Sequence, residues 1–434
     1  MLKIFCVFFL AISVASCGGS SSKDGDQEQI SGKQSSSISG KTASSYKVYE
    51  DSIITGSLST SNLEASFVAQ NQVEGKYGKL SINADGKWTY QPNKFHYETI
   101  KTQNVDELVD VFTISTTDGE EQDVTLSAKL YYQRLDKHTS FTLSVAEETT
   151  YSGLSRLFDS KWISEQLIAD LTPTNYDYDK YDNLTSVIRF NAFRYEVEHG
   201  EEYNYLRKSG KVTTIQHYLE RYFLADGNLF LYESNESTAG WDSTNNRISE
   251  VENFLRTMAS NGEISRQSNY KERLVYNENG RKSEVYVSTD DVEEFLATSV
   301  NYHIDGTADK SILLTSVGEQ IRQYNYYYDA YGRMIANKTT YPNSPDFSKL
   351  ELYVYHPNIN VILKFIVNVN EFSNGSLTSN VFVNLYQYSN ISSEKCGDVD
   401  RAKSVISIEP ISNCRINDNL PQTTALPNPS ALGY

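Results

Sequence analysis

Polar and apolar residues alternate along several short stretches of the chain, with turn residues between them. Lys79-Leu80-Ser81-Ile82 runs into Asn83-Ala84-Asp85-Gly86, and Lys87-Trp88-Thr89-Tyr90 leaves that turn. A two-residue period puts Leu80 and Ile82 on one face, and Gly86 can take the positive φ that a tight turn demands. The pattern returns at residues 111–115, at the turn Thr117-Asp118-Gly119-Glu120, and at residues 124–130. Several short strands at this spacing predict a β-sandwich over residues 46–132. Its expected core is Leu58, Phe67, Leu80, Ile82, Trp88, Phe112, Ile114, Val124 and Leu126.

Farther on, the period changes. Leu154, Leu157, Phe158, Trp162, Ile163, Leu167, Ile168 and Leu171 recur at helical spacing, and Pro173 ends the stripe, which predicts an amphipathic helix. A second short helix is predicted over residues 249–260, with Val251, Phe254, Leu255 and Met258 on one side and Asn261-Gly262 as its stop. The rest of residues 151–416 reads as hairpins. Aromatic strand ends lead into polar turns at Tyr178-Asp179, Phe223-Leu224, Tyr276-Asn277 and Tyr328-Asp329, and more weakly at Phe372-Ser373, roughly every fifty residues. Self-similarity of that kind predicts a repeat architecture. The expected fold class is mainly β: an N-terminal sandwich of cadherin or immunoglobulin type, then a larger antiparallel β-repeat domain with one or two short helices.

Two families share these patterns. Glu50-Asp51, Gly56-Ser57-Leu58, Tyr77-Gly78-Lys79-Leu80, Ala84-Asp85-Gly86-Lys87-Trp88-Thr89-Tyr90, Asp110-Val111-Phe112-Thr113-Ile114 and Asp118-Gly119 together resemble the VCBS repeat. That resemblance implies a cadherin-like sandwich of bacterial surface and adhesion proteins. Where the family often shows Asp-x-Asp, this chain has Asn62-Leu63-Glu64. Glu50, Asp51, Glu64 and Asp118 could supply some of the six to eight oxygens that calcium takes; the alternative is that they are turn and edge acids. Tyr328-Asp329-Ala330-Tyr331-Gly332-Arg333 and Tyr178-Asp179 through Ser186 resemble the YD repeat of Rhs-type surface proteins, whose sheets spiral into shells. The longer spacing here favours a long curved antiparallel sheet over a closed shell. Residues 417–434, with Pro421, Pro427 and Pro429, read as an unstructured tail.

Composition changes the picture mainly at the N-terminus. Lys3 and an apolar run over residues 4–12 describe a secretory leader, and Val14-Ala15-Ser16-Cys17-Gly18 resembles the lipobox of bacterial lipoproteins. The resemblance implies cleavage after residue 16, diacylglycerol on Cys17, and, with Gly18 after the cysteine, sorting to the outer membrane. More than one acyl chain makes such an anchor stable. Residues 17–45 are rich in Ser and Gly and read as a disordered tether. The remaining cysteines, Cys396 and Cys414, are expected to form a disulfide in an oxidising envelope; a metal or redox pair is the rival, without CxxC spacing or a nearby His. The balance of 39 basic against 56 acidic residues, −17 overall, disfavours nucleic acid as a partner. Tyrosine is in excess, 32 against 18 Phe and 3 Trp, which favours sheet over helical bundle.

Catalytic signatures are absent from the sequence. The six histidines never pair at His-x₃-His spacing, and neither HExxH, GxSxG nor GxxxxGK[ST] occurs. No catalytic residue, cofactor or individual binding residue is therefore assigned, calcium aside. The expectation is a non-catalytic, outer-membrane-anchored surface lipoprotein for adhesion or recognition of a polysaccharide or a surface protein. The alternatives are an envelope-bound carbohydrate-active hydrolase and a structural subunit of an envelope complex.

Overall fold

The computed structural model describes residues 36–48, 52–93, 107–144 and 174–390, with interruptions at 182, 192–195, 210, 226–227, 243, 246, 259–262, 346, 357–360 and 371–375, together with 411 and 414–416. The leader, Cys17, Glu50, Asp51, the helical stripe over 154–171, Cys396 and the tail over 417–434 lie outside the described residues.

Strands β1 (Ile38–Gly40), β3 (Ile54–Thr60), β6 (Lys87–Pro92), β5 (Gly78–Ile82) and β4 (Gln70–Glu74) form one sheet in that order. The second sheet contains β2 (Ala43–Ser45), β8 (Glu121–Lys129) and β7 (Glu107–Ser115), with β2 parallel to β8. The nine residues expected in the core are all buried, and Tyr90 joins them. Gly56 lies under the Trp88 indole, where a Cβ would approach the ring to 2.2 Å, so only glycine fits there. Asp110 pins the two sheets together. Buried to 3 % exposure, it accepts the Tyr90 hydroxyl at 2.9 Å and the backbone N–H groups of Lys76 and Tyr77 at 2.7 and 2.9 Å. β1 and β2 fall within the span read as tether. Ser and Gly there pair with β3 and β8 because an edge strand needs backbone groups more than apolar side chains.

The remaining strands form one antiparallel sheet. It begins with β9 (Tyr132–Ser144), β10 (Thr174–Tyr178), β11 (Leu184–Asn191), β12 (Glu196–Lys208), β13 (Lys211–Ala225) and β14 (Asn228–Asp242). β15 (Arg247–Met258), β16 (Ile264–Tyr276), β17 (Lys282–Thr289), β18 (Val292–Tyr302), β19 (Ala308–Leu314) and β20 (Gln320–Tyr328) continue it. β21 (Met334–Thr340), β22 (Phe347–His356), β23 (Val361–Asn370) and β24 (Ser376–Asn390) complete it, each beside its predecessor. β24 then pairs with β9, and short β25 (Cys414–Ile416) also lies along β9. The sheet therefore closes into a barrel, against the expectation of an open curved sheet. Closure depends on pairing residue 133 with residue 390, which no local pattern encodes. Among the described residues, the seam between β9 and β10 pairs Thr174↔His138 and Asn175↔Lys137.

A second correction concerns residues 249–260. Residues 249–258 lie in β15, the last two lie outside the described residues, and no helix occurs among the described residues. In an extended strand Val251 and Leu255 share one face and Phe254 takes the other. A closed sheet with chemistry on both faces spaces its apolar residues much as a helix would.

One turn recurs at the hairpin tips. The N–H of its first residue donates to the carbonyl four positions on, as in Asn277 to Arg281 (2.8 Å), His303 to Thr307 (2.8 Å) and Asp329 to Arg333 (2.9 Å). Where the first residue is Asp or Asn, its side-chain oxygen accepts further N–H groups: Asp329 Oδ1 binds those of Tyr331 and Arg333, each at 2.9 Å, and at the His303 turn Asp305 Oδ1 accepts the Thr307 N–H instead. Gly332 closes the turn at φ 76°. The preceding tyrosine braces the hairpin through its hydroxyl: Tyr276 donates to Ile248 O at 2.5 Å and Tyr302 to Lys282 O at 2.7 Å, while Tyr328 accepts the Ala308 N–H at 3.1 Å; Tyr355 likewise donates to Met334 O at 2.8 Å. Phenylalanine, without a hydroxyl, cannot do this. Tyr276, Tyr302, Tyr328 and Tyr355 recur every 26 or 27 residues, half the spacing read from the glycine turns.

Candidate functional site

Because side chains alternate, register fixes which residues share a face around the ring. One row runs Ser186↔Glu202↔Tyr218↔Glu236↔Phe254↔Asn269 across β11 to β16. Beside it runs Ile188↔Gly200↔Glu220↔Ser234↔Arg256↔Gln267. Two clefts open on this face. The first, of about 510 Å³, is bounded by Ile188, Glu202, Tyr218, Glu220 and Tyr222, with Gly200 as its floor. A Cβ on Gly200 would meet nothing within 4 Å, so the missing side chain is what gives the cleft its depth. The second, of about 360 Å³, includes Glu236, Glu252, Phe254, Asn269 and Lys271. The Tyr218↔Glu236 pair joins the two.

Ion pairs occupy much of the second cleft: Lys271 with Glu252 at 2.5 Å and Arg256 with Glu236 at 3.7 Å. Glu252 holds the Lys271 ammonium above its usual range. In the first cleft the Tyr222 hydroxyl donates to Glu220 at 2.5 Å, and this bond, helped by burial, pushes the phenol up to about 12. The cleft thus presents phenol rings beside carboxyl side chains. Aromatic faces can stack on a sugar ring, and carboxylates accept its hydroxyl hydrogen bonds.

On the opposite face, Glu201 accepts the Tyr203 hydroxyl at 2.6 Å and lies 3.2 Å from His217 Nε2. The Tyr203 and His217 rings stack at 4.4 Å. Glu351 lies between Lys349 (2.8 Å) and Lys364 (2.9 Å) and accepts the Tyr353 hydroxyl, a buried network that holds the β21–β23 wall.

Of the four acids considered for calcium, Asp118 and Glu64 are described, and they are not brought into a ligand set. Hydrogen bonds from Ser36, Thr116 and Asn62 hold the Asp118 carboxylate well below its usual range, and it caps the turn at residues 116–120. Glu64 projects from the neighbouring turn, where its N–H is held by Asn62 Oδ1 at 3.1 Å. Among the described residues no three His, Cys, Asp or Glu side chains cluster as a metal would require. Millimolar calcium is therefore expected to move the sandwich melting temperature by no more than a degree or two; a rise of more than about 10 °C would show a filled site. Cys414 is buried at 1 % exposure in a cluster with Tyr77, Leu108, Ala128, Leu130 and Tyr132, where the sandwich meets the barrel. The clefts have no signature in the chain, because a glycine within a strand is an equally good signal for a bulge.

The described residues thus form an all-β fold in which a small two-sheet unit adjoins a closed antiparallel barrel carrying an aromatic and acidic face. No family model matches the chain, and no curated protein does. Solved structures give weak likenesses. The chain is 9 % identical to TcdB2-TccC3 over 52 % of its own length, at a TM-score of 0.22, and spans 16 % of that chain. A porin-like protein from Bacteroides uniformis is 8 % identical, with 59 % of this chain and 96 % of that one covered and a TM-score of 0.29. Protocadherin gamma B2 extracellular cadherin domains 3–6 are 8 % identical, over 82 % and 73 % of the two chains, at a TM-score of 0.16. Likenesses at these scores assign neither a family nor a function.

Proposed function

We propose that this protein is a non-catalytic recognition lipoprotein of the outer membrane, anchored through Cys17 and binding polysaccharide in the cleft floored by Gly200. The single observation that carries the reading is the cleft itself: Tyr218 and Tyr222 beside Glu202 and Glu220 over a position without a side chain. Phenols and carboxylates in that arrangement suit a neutral, hydroxyl-rich ligand, and the chain's net charge of −17 disfavours an anionic one. The lipobox-like residues 14–17 support the anchor, and the disulfide-bonded state of Cys414 supports its pairing with Cys396 under oxidising conditions. VCBS-like membership of the sandwich is part of the same proposal.

The test is a panel of neutral polysaccharides with the wild-type chain and Gly200→Phe. The variant adds a ring where nothing opposes a Cβ, so it should melt within a few degrees of wild type while binding falls at least tenfold. Unchanged affinity would reject the cleft. Turnover of any polysaccharide would favour the hydrolase alternative instead.

A further inference from the structure

We infer that the barrel end at which β9 begins docks on a lipid surface bearing anionic headgroups. Antiparallel order around the ring places the turns that follow even-numbered strands at this end and those that follow odd-numbered strands at the other. The two ends differ in charge. At the far end the described turns carry Glu263, Asp290, Asp291 and Glu319 and no basic residue. At the entry end the tips of the β10–β11 and β12–β13 hairpins carry Lys180, Arg207, Lys208 and Lys211. Lys180, Lys208 and Lys211 are exposed and make no ion pair among the described residues. The acids at this end are engaged locally. Asp329 holds Arg333 at 2.8 Å, Asp242 binds Asn245 at 2.7 Å and faces Arg247 at 3.9 Å, and Asp309 faces His303 at 3.6 Å. Asp179 caps backbone N–H groups, as Asp305 does for Thr307, while Glu278 projects from the β16–β17 turn beyond the two basic tips.

Apolar groups lie among these cations. Tyr181 and Leu206 are each 48 % exposed at the same two tips, and the Arg207 guanidinium lies 4.1 Å from the Tyr181 ring. Ile304 is fully exposed at the tip between β18 and β19, and Tyr331 projects beside it from the next tip. Lysines for headgroups and tyrosine or leucine for the acyl boundary are what interfacial binding uses. β8 ends at Lys129 and β9 starts at Tyr132, so the sandwich adjoins this same end of the barrel. A protein of net charge −17 would otherwise be repelled by such a surface; the acidic end turned outward resolves the conflict.

The docking goes beyond the anchor proposal and does not need acylation, so the test uses the full chain carrying Cys17→Ser. Co-sedimentation is measured with vesicles of phosphatidylcholine alone and with 30 % phosphatidylglycerol. Binding is expected to the anionic vesicles only, and to be lost at 0.5 M salt. Lys180→Gln/Lys208→Gln/Lys211→Gln should weaken it about 100-fold, at roughly fivefold per lysine near the surface. Tyr181→Ser/Leu206→Ser should weaken it further, while Asp290→Asn/Asp291→Asn leaves it unchanged. Failure to bind anionic vesicles, or binding that the triple variant retains, would overturn the inference. Membrane retention of the acylated wild type is a separate readout, so the anchor and the docking stand or fall independently.

Discussion

Replacing Asp110 by alanine is expected to lower the melting temperature of the sandwich by at least about 12 °C. The carboxylate accepts the Tyr90 hydroxyl and the Tyr77 N–H in a buried setting and the part-buried Lys76 N–H, with Gly75 packed so close that a Cβ there would meet the Asp110 oxygen at 2.5 Å. Alanine leaves three donors without their acceptor, two of them buried. Each costs about 1–3 kcal/mol, so a total loss of at least about 3 kcal/mol follows. In a domain of this size each kcal/mol moves the melt by about 4–8 °C. Asp123→Ala, which removes an exposed bond to Thr113, is the control and should stay within about 0.5 kcal/mol of wild type. Thermal melts followed by Trp88 fluorescence, through a residue packed in the same core, would read both. Equal melts for the two variants would show that Asp110 does not hold the sheets.

The second large effect is expected at Asp329. Arg333, only 1 % exposed, is paired with the Asp329 carboxylate and lies 4.7 Å from the Tyr355 ring. Asp329→Ala removes the counter-charge from a buried guanidinium and two acceptor contacts from the turn, a loss of about 3–5 kcal/mol. Asp329→Asn separates the two roles. Asn277 already caps the equivalent turn through Oδ1, so asparagine should preserve the turn while Arg333 loses its charged partner. The ordering expected in hydrogen exchange of β20 and β21 is wild type slowest, Asn intermediate and Ala fastest. Asn as fast as Ala would mean the ion pair, not the cap, carries the hairpin.

Much of this architecture is legible in the chain because alternation and turn chemistry are local. Leu80, Ile82, Phe112 and Ile114 announce their face through a two-residue period, and Asn83-Ala84-Asp85-Gly86 or Asp329-Ala330-Tyr331-Gly332 announce their turns. The turn at His303 was missed because histidine replaces the usual Asp or Asn, although Tyr302 keeps the 26-residue step that would have exposed it. Residues 249–260 misled because Phe254 faces the cleft and Leu255 the opposite side, so neither face alternates cleanly between apolar and polar. The clefts depend on strands brought together by register, and Gly200 carries no sign of which neighbours rise around it. Asp118 was recognisable as a turn acid, but the hydrogen bonds from Asn62 and Ser36 that occupy it come from far along the chain.

The seam at β9 has a temporal meaning. β9 is synthesised early, yet the strand that covers its long edge, β24, follows more than two hundred residues later. Until then the growing sheet has two open edges, and on its other side the first strand is paired, among the described residues, with Thr174 and Asn175 of β10. Hairpins braced by their tyrosines can form one at a time as they emerge, each locally complete, while ring closure waits for the whole circumference. An incomplete ring offers unpaired backbone to any neighbouring chain doing the same. Assembly of this protein is therefore expected to be fast at each hairpin and slow at one step, the meeting of β9 with β24, and truncation anywhere before residue 376 should yield aggregates rather than a smaller barrel.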